Sequence, residues 1–519
     1  MANPEATVPS QLNQGERKNI ITAAKGGSIG FLGKLFVQGV SLGFVLIMTR
    51  TFGAEEYGLY RLAILIITIT SAMSVIGLDG GLKRYMTIAL SEKNKNKLWG
   101  VIQLGTVVPV VIGLLLSLII LIFADPISSR IFDKPQLAPF LRLGSIAIPV
   151  LVLILSLKAI AVGFKKIEYN VFSNDIGFNL LKLLFSVILI LMGLQIRMVL
   201  IAYIAAAICS AILLLYFINK TYPFNKLPKT AERHDKEILT YSFPLFLSLL
   251  LNQFGRNFEA LVLGAFSITA SVGVYSVILV LSNVGNMGFV ALRAISNPIF
   301  AELYHEKRFT ELKSFYQTVS RWSLSFNFPI FLLVILFPQN IMGIFGKDFT
   351  VGVTALIILA FGTLFNAATG ACGALLNMSG YSRMNFYNSV VYLTATLILD
   401  FWLIPKYGLL GAALAGALTY VVINSLMMIE VYLLVNKIVP FSRELYKPIV
   451  SALIAGVSAY WAKSYLLIDY PVWQLLLIGG SMLAIYLFTL KTLKFSAEDK
   501  FILSKPVSYT HLTLPTKIV

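Results

Sequence analysis

The chain has 519 residues, of which 57% are hydrophobic and 13% charged, against about 25% charged in a soluble domain. With a mean hydropathy of +0.82, this is the composition of a polytopic membrane protein. The net charge of +18 does not indicate nucleic acid, because Lys and Arg lie mostly in short loops between apolar runs, where they act on lipid headgroups and topology.

A polar segment, residues 1–26, reads as a cytoplasmic tail. Windows of about 19 residues then find apolar runs near 28–49, 61–82, 99–123, 142–163, 176–194, 198–218, 239–264, 272–295, 316–337, 352–379, 385–404, 408–435, 447–467 and 472–490. The expected fold is therefore all-α, with about 14 transmembrane helices. Gly58-Leu59-Tyr60 recurs as Gly273-Val274-Tyr275, Gly163-Phe164 as Gly380-Tyr381, and Gly193-Leu194 as Gly408-Leu409, at offsets of 215 to 217. The repeated unit is a set of six helices, giving an N-lobe over 27–219 (helices 1–6) and a C-lobe over 239–436 (helices 7–12). A charged linker, 220–238, joins the lobes, and 437–491 adds helices 13 and 14.

An even number of helices per repeat gives the two copies one topology, related by an axis along the membrane normal. Roughly three times as many Lys and Arg fall on one set of loops as on the other, which places both termini in the cytoplasm. Arg50, Arg61, Arg130 and Lys134 are assigned to outer loops. Of the tail, 492–519, the last part, 506–519, has no helical periodicity and resembles translated sequencing-adaptor read-through. The cysteines, Cys209 and Cys372, sit inside apolar segments, the three histidines are scattered, and no metal-ligand cluster or cofactor motif is visible.

The junction Thr49-Arg50-Thr51-Phe52-Gly53-Ala54-Glu55-Glu56-Tyr57-Gly58-Leu59-Tyr60, the opening Tyr241-Ser242-Phe243-Pro244-Leu245 and the turn Ile404-Pro405-Lys406-Tyr407-Gly408-Leu409-Leu410-Gly411-Ala412-Ala413 stand in this order along the chain. They resemble motifs of the polysaccharide transporter branch of the multidrug/oligosaccharidyl-lipid/polysaccharide exporter superfamily. That resemblance runs from about Gly26 to Leu490 and departs at Glu259, where many members carry Asp. It implies a flippase that moves a polyprenyl-diphosphate-linked oligosaccharide across the cytoplasmic membrane for glycan assembly, with membrane lipids, an H+ or Na+ coupling ion and glycan-assembly proteins as partners.

Such a headgroup needs cations and hydrogen bonds at bilayer depth. Ser248, Asn252, Arg256 and Glu259 recur at steps of 4, 4 and 3 on helix 7, with Gln253 beside them. Lys34, Gln38 and Ser41 form a matching stripe on helix 1, and Lys182, Asn283, Asn286 and Asn366 add polar positions on helices 5, 8 and 10. These residues are expected to line a hydrated cavity between the lobes, with Glu259 and Asp79 as candidates for coupling or gating. Against this, Asp79 and Lys83 at i and i+4 form a local ion pair by spacing alone, Arg256 and Glu259 can neutralise one another, and Lys158 at a helix end suits snorkelling. An ion-coupled multidrug exporter of the same superfamily is the main alternative. A membrane-embedded polysaccharide polymerase would need a larger extramembrane loop with acid, base or metal-binding residues, so no enzyme is expected.

Overall fold

The computed structural model describes residues 14–223, 228, 230–465 and 471–493; the adaptor-like tail therefore lies outside the described residues. The chain is a helical bundle, as aliphatic runs in lipid require, since a helix satisfies its backbone hydrogen bonds within the segment.

With N-lobe and C-lobe used as names for the two halves of the chain, the N-lobe holds α1 (Gln14–Ser74), α2 (Leu78–Ser91), α3 (Lys95–Ile122), α4 (Ala138–Ser145), α5 (Ala147–Gly163), α6 (Asn179–Leu191) and α7 (Ile196–Thr221). The C-lobe holds α8 (Asp235–Phe266), α9 (Thr269–His305), α10 (Phe309–Leu336), α11 (Pro338–Phe345), α12 (Val353–Thr369), α13 (Cys372–Met378) and α14 (Ser382–Leu434), followed by α15 (Tyr446–Tyr465) and α16 (Pro471–Thr492). A π-helical segment, Val171–Phe178, leads into α6.

Two of these helices are far longer than a bilayer, and each contains a break. In α1 it falls at Gly53 (φ 75°) and in α14 at Gly408 (φ 53°), left-handed positions that glycine adopts without a Cβ penalty. Each of the fourteen expected runs lies on a helical segment. Among the described residues, however, eight helices are long and apolar enough to cross a membrane, or nine if the bent pair Pro135–Ser145 and Ala147–Gly163 is one span. The difference arises because α1 and α14 each merge two runs and because α8, α9 and α15 are not counted, α8 and α9 being described only in part. Arg61, expected in an outer loop, sits two turns inside the second half of α1. The hydropathy run was opened at that residue, whereas the helix begins directly after Gly53.

Left-handed turns recur in the two halves of the chain at spacings close to that of the sequence marks. Positive-φ residues pair across the halves: Lys93 with Lys307, Asp133 with Gly346, Lys165 with Gly380, and Gly193 with Gly408. The main core cluster spans both lobes, and α1 against α9 is the principal contact between them. A smaller core around Phe300, Tyr316, Leu375 and Val435 closes one end of the C-lobe.

Candidate functional site

The end of the bundle at which α1 and α8 begin is termed proximal, and the end carrying the Gly53 break distal. At the distal end the lobes touch through small residues. A Cβ on Gly58 would stand 2.1 Å from the Thr269 carbonyl oxygen, and one on Gly273 would stand 2.1 Å from the Ala54 carbonyl oxygen. The glycines recognised as repeat marks thus meet one another at the seam. Two cations reinforce it. Lys134 donates to the carbonyls of Phe132 (3.1 Å), Gly264 (2.6 Å) and Ser267 (2.8 Å), covering the end of α8 with a positive charge where the helix dipole favours one. Arg50 donates to the carbonyls of Ile344 (2.5 Å) and Gly343 (3.1 Å) in the last turn of α11.

At the proximal end α2 leans on α8. Gly77 and Gly81 face Ser242, and Gly80 faces the Leu245 side chain. The interlobe segment attaches to the turn between α2 and α3, where Asn94 donates to the Glu232 carboxylate at 2.7 Å and the Glu232 amide to the Asn96 carbonyl at 3.1 Å. His234 bonds the same carboxylate at 2.8 Å, and His234 first and Asn94 second hold Glu232 below the usual carboxylate range.

Between these two contacts lies a cavity of about 370 Å³ on the seam, lined by Asp79, Lys83, Lys158 and Asn170 of the N-lobe and by Leu249 and Gln253 of α8. Lys83 pairs with Asp79 at 3.1 Å, with the other Asp79 oxygen buried and without a hydrogen-bond partner. Lys158 lies 3.8 Å from Asp175 in the π-helical segment, and its carbonyl accepts from Asn170 at 3.1 Å. The cavity therefore offers two cations, each held by one exchangeable carboxylate.

A second polar site is sealed inside the C-lobe. Glu259 on α8 accepts a short hydrogen bond from the Tyr275 hydroxyl on α9, which lies 3.5 Å from the Ala412 carbonyl. Gly416 leaves room for this carboxylate, since a Cβ there would come within 3.0 Å of Glu259 Oε1. Asp400 on α14 is fully buried with neither oxygen hydrogen-bonded, and its charge and that of Glu259 act on one another. Two carboxylates so enclosed need a proton or a cation between them.

The expected site residues are distributed over several places. Gln253 and Asp79 line the seam cavity, whereas Glu259 lies in the C-lobe interior. Gln38 donates to the Val280 carbonyl on α9 at 3.5 Å, so it meets the other lobe at α9 and not at Gln253. Ser41 and Asn366 are half-buried and Asn283 is exposed. Lys182 stacks its ammonium on Phe44 inside the N-lobe, 4.6 Å from the ring centre. The side chains of Lys34, Asn252, Arg256 and Asn286 lie outside the described residues. Lys83 and Lys158 reach the cavity although spacing offered each a local explanation, and Asp400 went unremarked. Its signal was present as a single acid within the apolar run Leu397–Leu403.

The model of the family described as polysaccharide biosynthesis protein matches residues 23–304, and that described as MatE matches 244–402. The capsular polysaccharide biosynthesis protein CapF of Staphylococcus aureus is 24% identical over 275 residues, covering 51% of this chain and 69% of its own length. The probable low-salt glycan biosynthesis flippase Agl15 of Haloferax volcanii is 25% identical over 200 residues, 38% of this chain, and the match spans 42% of that relative. Among solved structures, the lipid II flippase MurJ in an inward closed conformation superposes with a TM-score of 0.71 at 18% identity, covering 89% of this chain and 98% of that one. An inward-facing multidrug resistance MATE transporter superposes with a TM-score of 0.65 at 14% identity, covering 79% and 98%.

Proposed function

Since the chain belongs to the polysaccharide biosynthesis protein family of the multidrug/oligosaccharidyl-lipid/polysaccharide exporter superfamily, we propose that it flips a polyprenyl-diphosphate-linked oligosaccharide across the cytoplasmic membrane. In this reading the fourteen helical runs all span the bilayer as two six-helix repeats plus two C-terminal helices, both termini are cytoplasmic, and the distal end faces outward. The observation that carries the proposal is the seam cavity with its paired cations, Lys83 with Asp79 and Lys158 with Asp175. Each pair is partly exposed and worth about 0.2–1 kcal/mol. A diphosphate offers each lysine a charge-assisted hydrogen bond worth about 1.5–3 kcal/mol, so the headgroup can displace the resident carboxylates. The lipid tail stays in the bilayer, and the lobes rock to expose the cavity on alternate sides.

The Glu259–Asp400 pair suits a coupling site, because loading it with H+ or Na+ changes the charge held between α8, α9 and α14.

The test is flipping of a fluorescent prenyl-diphosphate saccharide in proteoliposomes. Lys83→Gln with Lys158→Gln is expected to lower the rate at least about tenfold, the effect of losing roughly 1.4 kcal/mol of binding, and the Glu versions are expected to lower it further. Wild-type rates in the doubly reversed protein would refute the cavity's role. The MatE match over 244–402 gives the exporter reading its own arm: ethidium efflux from the same vesicles without lipid flipping would replace this proposal by that one.

A further inference from the structure

Among the described residues, two cations of the N-lobe, Arg61 and Lys182, form no ion pair. Arg61 and Tyr57 lie one turn apart on the same face of α1, and the Arg61 Nε and the Tyr57 hydroxyl are both buried without a hydrogen-bond partner. Lys182 on α6 reaches the same region. Its ammonium donates to Asn179 Oδ1 at 3.1 Å and sits 4.6 Å from the ring centre of Phe44 and 5.6 Å from that of Phe178. Phe44 in turn packs on Tyr60 at 6.1 Å, Tyr60 stacks on Tyr57 at 6.3 Å, and Phe178 meets Tyr203 edge-on at 5.2 Å. The rings form an aromatic wall beside the Lys182 ammonium.

The Arg61 charge acts on Tyr57, Tyr60, Tyr203 and Lys182, and no carboxylate figures among the charges acting on these four groups. None of these residues lines the seam cavity. Like charges set near one another without a counter-ion repel, and each group here has a donor to spare: the Arg61 Nε–H and the Tyr57 hydroxyl are unpaired, and the Lys182 ammonium has donors left beyond its bond to Asn179.

From this arrangement we infer that Arg61, Lys182 and Tyr57 form a binding site for a small inorganic anion of the halide type. The ligand takes hydrogen bonds from all three, and the aromatic wall limits its size. A bound halide offsets one of the two positive charges, so the stability of the lobe becomes dependent on halide concentration. This inference does not rest on the cargo proposed above.

The experiment is thermal unfolding of the purified full chain in detergent, with bromide or chloride replacing gluconate at constant ionic strength. The wild type should show a saturable rise in midpoint with halide. Arg61→Gln and Lys182→Met should flatten the titration. Tyr57→Phe, which keeps the ring and removes one donor, should raise the half-saturating concentration severalfold. Anomalous scattering from bromide should peak beside Arg61. A wild type indifferent to halide, or a Tyr57→Phe protein with an unchanged titration and no bromide peak at the site, overturns the inference.

Discussion

Replacing Gly58 with alanine would place a Cβ 2.1 Å from the Thr269 carbonyl oxygen and 2.9 Å from its carbon, where ordinary contact starts at 3.4 Å. Both obstructing atoms are backbone, so no rotamer change relieves the clash, and α1 and α9 must separate by about 3.4 − 2.1 = 1.3 Å. Overpacking of this kind costs about 1–3 kcal/mol. The cost falls on the state in which the distal ends touch and not on a state in which they are parted. A bias of that size shifts the equilibrium about 5- to 150-fold toward distal opening. Spin labels on Thr51→Cys and Val351→Cys, both exposed at the distal end, in a Cys209→Ala, Cys372→Ala background, report the change as a longer distance population. Gly273→Ala should do the same, and the double variant should add less than the sum of the two, because one separation relieves both clashes. Unchanged distance distributions in both single variants would refute the glycine seam as the distal gate.

Lys134→Met removes hydrogen bonds to Gly264 and Ser267 at the end of α8; a loss of about 1–3 kcal/mol should lower the thermal midpoint and add to the distal opening seen by the same labels. Because Glu232 is held below the usual carboxylate range, its contact with Asn94 should be present above that range and lost as pH falls through the lowered value; hydrogen exchange at residues 94–97, corrected for intrinsic rate, should speed up along that descent in the wild type and already at neutral pH in Glu232→Gln. In proteoliposomes, Glu259→Gln should abolish the dependence of flipping on an imposed proton or sodium gradient, and Asp400→Asn should do likewise; retained dependence in both would remove the pair from coupling.

The helical layout was legible because hydropathy is a local property: every apolar run lies on a helical segment. The turns at Gly193 and Gly408, paired by the sequence marks, both take positive φ. What a glycine does was less legible. Gly58 reads from sequence as a turn marker, and only the approach of α9 shows why a side chain cannot stand there. Polar stripes give the face of a helix and not its neighbour, which is why Gln38 and Gln253, placed opposite one another by the repeat offset, meet different elements. Lys158 illustrates the converse. Its position near a helix end suits snorkelling, but α8 crosses in front of it and makes that end part of an enclosed space. Arg61 was assigned to a loop because a hydropathy window dilutes a charge at its edge, whereas the helix boundary is set by the backbone reversal at Gly53.

Gly58 meets Thr269 as Gly273 meets Ala54, the reciprocity of an isologous dimer interface, in which residue i touches j and j touches i. A chain of half this length, carrying one lobe, would offer that surface to a second copy of itself. The segment joining the lobes turns such a pairing into an intramolecular one, at an effective concentration on the order of millimolar for a short flexible tether. Once tethered, the two copies are free to specialise. Lys83 and Lys158 stand 215 residues from Pro298 and Gly373, and Glu259 and Asp400 stand 215 from Phe44 and Phe185. The half that holds the cavity's cations and the half that holds the sealed acids thus carry different chemistry on either side of a reciprocal contact.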